Sequence, residues 1–275
     1  MRGFLCLVLS LFVLAACGTT KVEPVSAARG EAEAPDRAGP DRRVTLLDIA
    51  QTSKRYSSGI FGSLEIPARV EPGETDGNLI SQWGRIQAWI RDQDPEFRAC
   101  IRSPAACRSA ELRAWRGLIV SARGLDAMGR LNAVNGYFNS WPYLLDDQVY
   151  GRSDYWATPI EFMRNSGDCE DFSIAKFLAL RHLGFRNDDM RIVVVTDTIR
   201  ARVHAVLAVY FRNDTLILDS LSDEILQHTA YTHYVAHYSV NETARWEHLN
   251  LNGGPLAAFD PRWRQLACRG GALLG

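Results

Sequence analysis

The chain carries almost no net charge. Its 31 Lys and Arg stand against 32 Asp and Glu, a balance of −1 over 275 residues. No Lys/Arg-rich run offsets that balance, so no global field draws the protein to a phosphate backbone, and nucleic acid is not an expected partner. No internal repeat is visible, which argues against solenoids and arrays. The longest uncharged apolar stretch near the start, Phe4 to Leu14, is too short to span a bilayer comfortably. Cysteine is scarce: Cys6, Cys17, Cys100, Cys107, Cys169 and Cys268. Each therefore needs a reason.

The first residues supply one. Met1 and Arg2 form a short basic region, Phe4 to Leu14 an apolar core, and Leu14-Ala15-Ala16-Cys17-Gly18 follows. This reads as a secretory signal peptide. A cysteine directly after small residues resembles the lipobox of bacterial lipoproteins. The resemblance implies a signal peptide over residues 1–16, cleavage before Cys17, and lipidation of Cys17. Several acyl chains on one residue satisfy the requirement that stable anchoring takes more than one. Gly18, in place of Asp, points by resemblance to the outer membrane. The expected location is the periplasm, lipid-anchored to the cell membrane.

Residues 17–43 are rich in Ala, Glu, Pro, Gly and Arg and lack aromatics, so they read as the lipidated cysteine and a flexible tether. One globular domain is expected over 44–275. Export makes the compartment oxidising. Cys100 and Cys107 are close enough to close a small disulfide loop, with Cys268 an alternative partner. Cys169 is then the candidate reactive thiol.

Helices are expected over Leu79–Ile90, Ala110–Val120 and Leu125–Phe138, where apolar residues recur at spacings of three and four. An aromatic loop, Asn139–Thr158, follows, and Pro159–Met163 suits a short helix. Asn165-Ser166-Gly167 is a turn, and a helix apolar on most sides runs from Cys169 to Leu183, which implies burial. Then come strands: Arg191–Thr196, His204–Phe211, Thr215–Asp219 and Tyr234–Asn241. Asn213-Asp214 marks a hairpin turn between the second and third. Helices first and an antiparallel sheet after, with one buried helix leading in, make the class α+β.

The chemistry concentrates on Cys169, His204 and Asp219. A helix N-terminus lowers a thiol's pKa, an adjacent imidazolium lowers it further, and a carboxylate holds the imidazole in one tautomer. A hairpin tight around Asn213-Asp214 sets Asp219 beside Ala208 rather than opposite His204, so register alone does not join that pair.

Several ordered motifs carry a resemblance. Asp154-Tyr155-Trp156-Ala157-Thr158-Pro159, Gly167-Asp168-Cys169-Glu170-Asp171-Phe172, Val203-His204-Ala205-Val206-Leu207-Ala208 and Leu216-Ile217-Leu218-Asp219 together resemble the bacterial transglutaminase-like cysteine peptidases of LapG type. The resemblance covers about residues 125 to 246. It implies a papain-like, transglutaminase-like core and peptide hydrolysis through a Cys169-His204-Asp219 acyl-enzyme. It implies Ca²⁺ as cofactor, held by Asp168, Glu170 and Asp171, since a tight oxygen cluster suits that ion. It also implies a protein substrate of the large surface-adhesin kind, a role in biofilm control, and a cyclic di-GMP-responsive regulator. The lipid anchor departs from the soluble members of that family. Two other readings use the same residues: acyl transfer to an amine by a transglutaminase or amidase, and a lipid-anchored binding protein without catalysis.

Overall fold

The computed structural model describes residues 59–61, 64–68, 79–212 and 214–249. The expected signal peptide (1–16), Cys17, the tether to residue 43, the domain start at residue 44 and Cys268 lie outside the described residues. No helix among the described residues is long and apolar enough to cross a membrane.

The first helix among the described residues, α1 (Leu79–Arg102), runs twelve residues beyond its expected end at Ile90 and passes through Pro95. A proline inside a helix costs about 3 kcal/mol. Beyond it, Phe97, Cys100 and Ile101 continue the buried face of Trp83, Ile86 and Ile90. At about 1.5–3 kcal/mol for each large apolar side chain buried, that extension outweighs the proline. α2 (Ala110–Ala122) and α3 (Ala127–Asn139) begin at caps: Ser109 accepts from the Leu112 N–H, and Asp126 from the Gly129 N–H. The aromatic loop contains one turn of helix, α4 (Asp146–Val149). α5 (Pro159–Asn165) starts with Pro159 inside a Thr158/Glu161 capping box. α6 (Cys169–His182) is buried through its first twelve residues and stops just before Gly184, whose φ of 97° ends the helix.

Among the described residues the sheet has seven antiparallel strands in the order β1-β7-β6-β2-β3-β4-β5. β1 is Leu64–Ala68, β2 Met190–Asp197, β3 Arg202–Phe211, β4 Asp214–Leu218, β5 Leu226–Gln227, β6 Tyr234–Val240 and β7 Arg245–Leu249. The period of two divides the central strands. Ile192, Val194, Leu207 and Val209 join the core built with α6, while Val193, Val195, Val206 and Ala208 join a second cluster on the other face. α6 packs on β3 and β2 on one side and on α3 and α5 on the other. The class is α+β, as expected, with the cysteine-bearing helix between a helical layer and the sheet.

Strands β1, β5 and β7 escaped the sequence reading. β5 is two residues long, and β1 carries Pro67, which suits the sheet edge where it lies. The β3–β4 hairpin also differs. Phe211 pairs with Asp214, so the turn falls one residue earlier than Asn213-Asp214, with Arg212 in the left-handed region at φ 57°. Because the two strands run in opposite directions, that single step moves the partner of every β4 residue by two positions along β3. Leu207 now faces Leu218, and Asp219 comes two residues closer to His204 than the expected register allowed.

Cys100 and Cys107 are joined by a disulfide across a separation of seven residues, and so tie the end of α1 to the segment before α2. On the chain-entropy model a loop of this size stabilises by about 2.5 kcal/mol. Replacing both cysteines by Ser should lower the thermal midpoint by several degrees in calorimetry; an unchanged midpoint would mean that the bridge adds nothing to the native state.

Candidate active site

Cys169 is the first residue of α6, and Asp171 builds the turn that puts it there. One Asp171 carboxylate oxygen accepts from the Ala157 N–H at 2.5 Å, and the other from the Asp168 N–H at 3.2 Å. This closes the helix N-terminus and ties it to the loop before α5. The close approach demands a glycine: a Cβ at Gly167 would lie 1.9 Å from Asp171 Oδ2. Cys169 is fully buried. Its Sγ accepts from the Ala205 N–H at 3.2 Å and lies 3.4 Å from Glu170 Oε2. Ser173 Oγ donates to the Cys169 carbonyl and to Ala205 O, fixing the helix to the strand one turn further on.

His204 precedes Ala205 on β3 and is fully buried. Its Nε2 is 2.8 Å from Asp219 Oδ1, while Nδ1 makes no hydrogen bond. The contact left open by the expected register is thus made. Asp219 sits just past β4 and is held from several sides. Leu221 N–H donates to Oδ1 at 2.9 Å and Tyr234 Oη–H to Oδ2 at 2.8 Å. Burial opposes its charge, but these donors and the histidine win and pull its pKa down to about 2. Its carbonyl accepts from Asn139 Nδ2 and from the buried Lys176 Nζ at 3.1 Å. Burial lowers the Lys176 pKa to about 7, against the pull of Asp219 and Asp223. Tyr234, edge-on to His204 at 5.7 Å between ring centres, was not singled out from the sequence; only its place in an expected strand was visible.

The acidic residues beside Cys169 gather partners that the motif did not announce. Asp146 and Asp154, from the aromatic loop, meet Asp168, Glu170 and Asp171 in overlapping groups whose ligand atoms lie within 4.8 Å of one another. Asp188 and Asp189, in the turn before β2, belong to none of these groups. The donors fit a hard cation. They are almost wholly oxygen, and Asp146 Oδ1 and Asp168 Oδ1 are buried with no hydrogen-bond partner. Burial, and then the neighbouring charges, push Asp146 up to about 8 and Asp168 up to about 6; burial lifts Asp154 to about 6. Glu170 and Asp171 are raised as well, by burial and then by Asp168.

A buried helix that presents a cysteine to the strand carrying a histidine, itself bound to a carboxylate of the next strand, is the core of the papain-like, transglutaminase-like class. Within it the chain belongs to the bacterial transglutaminase-like cysteine proteinase family, whose model matches residues 96–253. Among solved structures it is similar to Legionella pneumophila LapG, at 30% identity over 60% of this chain and 86% of that one, with a TM-score of 0.46. It is also similar to the calcium-bound form of that protein, at 33% identity over 54% of this chain and 82% of that one, TM-score 0.47. A search of curated proteins finds no match.

Two outcomes follow from this site. Set at a helix N-terminus, Cys169 should alkylate with iodoacetamide faster at pH of about 7 than a free cysteine does, read by peptide mass mapping. A rate no faster than that of free cysteine would mean that the thiol is not activated. The carboxylates set the sign of a pH effect. Unfolded, they titrate near about 4, so the metal-free native chain binds more protons between about pH 4 and 8 and loses stability as pH rises. In chelator the thermal midpoint should fall from pH of about 5 to about 8, and added calcium should abolish that fall. A midpoint independent of pH in chelator would mean that the crowding is relieved in another way.

Proposed function

We propose that this chain is a cell-envelope cysteine peptidase that acts through a Cys169-His204-Asp219 acyl-enzyme, with calcium as its structural ion. The observation that supports it best is the 2.8 Å His204–Asp219 pair, set on the residue beside the one whose amide meets Cys169 Sγ. The reduced thiol gives its proton to His204 and attacks the peptide carbonyl carbon. The C–N bond then breaks, and the amine leaves with the proton from His204. Water, activated by the same imidazole, cleaves the thioester and restores the thiol. Asp219 holds the ring in one tautomer and balances its charge when protonated.

Asp146, Asp154, Asp168 and Glu170 are the residues that would hold the cation, with Asp171 beside them already bonded to two backbone amides. Calcium, when bound, would offset the repulsion among these carboxylates next to the start of α6. The chain is lipidated at Cys17 and faces the periplasm, with the outer membrane as anchor. Its substrate is a protein, of the large surface-adhesin kind, and its control runs through a cyclic di-GMP-responsive regulator. These assignments rest on the N-terminal motif and on the family.

The test uses the full chain in detergent, reduced, with envelope adhesin fragments, beside Cys169→Ala, His204→Ala and Asp219→Asn variants. Wild type should cleave. The first two variants should lose activity to background, and the third should retain a small fraction of it. Chelation should abolish cleavage, and calcium should restore it. Cleavage by Cys169→Ala would end the triad assignment. Cleavage unaffected by chelator would remove the ion and leave the peptidase. Transfer of an added primary amine to the acyl product, in place of hydrolysis, would mark a transglutaminase.

A further inference from the structure

Tyr143 stands in the loop before α4 and has no part in the chemistry described so far. Its ring packs against Cys169 and Ala205 and stacks on Phe172, 5.9 Å between centres. The backbone around it is pinned to the turn that precedes the cysteine. Tyr143 bridges to Gly167, and the Leu144 N–H donates to Gly167 O at 2.9 Å. Its Oη is buried and meets no side-chain partner; the group that approaches it is the Cys169 backbone amide. A phenylalanine would fill the same space without burying a hydroxyl, so packing alone does not account for the tyrosine. The phenol is not an anion in waiting. An ordinary phenol titrates at about 10, so it keeps its proton at neutral pH. The group is therefore a proton donor across the working range, and the Cys169 amide faces it.

We propose that the Tyr143 hydroxyl is the side-chain donor of an oxyanion hole whose other donor is the Cys169 amide. This rests on the acyl-transfer reading above. When Sγ bonds to a carbonyl carbon, the C=O π pair moves onto oxygen. That alkoxide lies between a backbone N–H at a helix N-terminus and a phenol O–H, both in place before the reaction. As the leaving group departs with its electron pair, the carbonyl re-forms and both donors relax. Because the phenol is fixed by Phe172 and Gly167, it contributes without reorganising.

The test separates stabilisation of an oxyanion from positioning of sulfur. Reduced full-length wild type and Tyr143→Phe would be compared in two reactions. One is acylation by p-nitrophenyl acetate, which passes through a tetrahedral alkoxide. The other is alkylation by iodoacetamide, which does not. Loss of one oxyanion donor should slow acylation by roughly 10²–10³-fold. Alkylation of Cys169 should proceed at the wild-type rate, and far-ultraviolet circular dichroism should be unchanged. Equal acylation by both proteins would overturn the proposal. So would a parallel fall in acylation and alkylation, which would make Tyr143 a support for the thiol. A wild type that alkylates but never acylates would show that no oxyanion hole exists. One inert to both reagents would instead end the acyl-transfer reading on which this proposal stands.

Discussion

One carboxylate holds the site together. Asp171 takes the Ala157 amide with one oxygen and the Asp168 amide with the other, inside a turn that only a glycine at 167 can make. Three segments far apart in function meet there: the aromatic loop that brings Asp146 and Asp154, the turn that precedes the cysteine, and the helix that carries it. Remove that carboxylate and the turn before Cys169 loses its ties to the Ala157 amide and to the Asp168 amide. The geometry at Cys169 thus depends on a residue that does no chemistry. Burial and the neighbouring acids oppose its charge and raise its pKa, and the two backbone donors offset them only in part.

The same arrangement explains why so much acid can be stored beside the cysteine. A helix N-terminus favours negative charge, but its dipole contributes only about 0.3–1 kcal/mol per exposed carboxylate. That is too little for several buried ones. The upward shifts of Asp146, Asp154 and Asp168 record the imbalance. At Asp219 the balance is the reverse. There a histidine, a tyrosine and a backbone amide converge on one carboxylate and hold it ionised despite burial. Two groups of like chemistry, a short distance apart along the fold, are therefore driven to opposite protonation behaviour by what surrounds them.

Much of this was legible in the chain. The apolar run after Cys169 required burial, and the helix is buried. The Ile-Val-Val-Val and Ala-Val-Leu-Ala-Val runs required central strands, and β2 and β3 occupy the middle of the sheet. What stayed hidden depends on distance in sequence. Asp146 and Asp154 look like ordinary loop acids until the loop folds over α6. Tyr234 and Tyr143 look like packing residues until their hydroxyls are placed. The helix through Pro95 was misread because local propensity forbids what tertiary burial permits. The hairpin register failed for a smaller reason: a turn is a local choice among adjacent residues, and an error of one residue there is doubled across the strands.

The sheet order has a consequence for how the molecule is assembled. β2, β3 and β4 follow one another and can pair as soon as they are made. β1 cannot, because its partner is β7, and the register joins Leu64 to Leu249 and Ala68 to Arg245. Among the described strands the earliest must wait, unpaired, for the last. During vectorial synthesis it is a loose ribbon that other strands could capture, and Pro67, which withholds a ladder hydrogen bond, makes it a poor template for such capture.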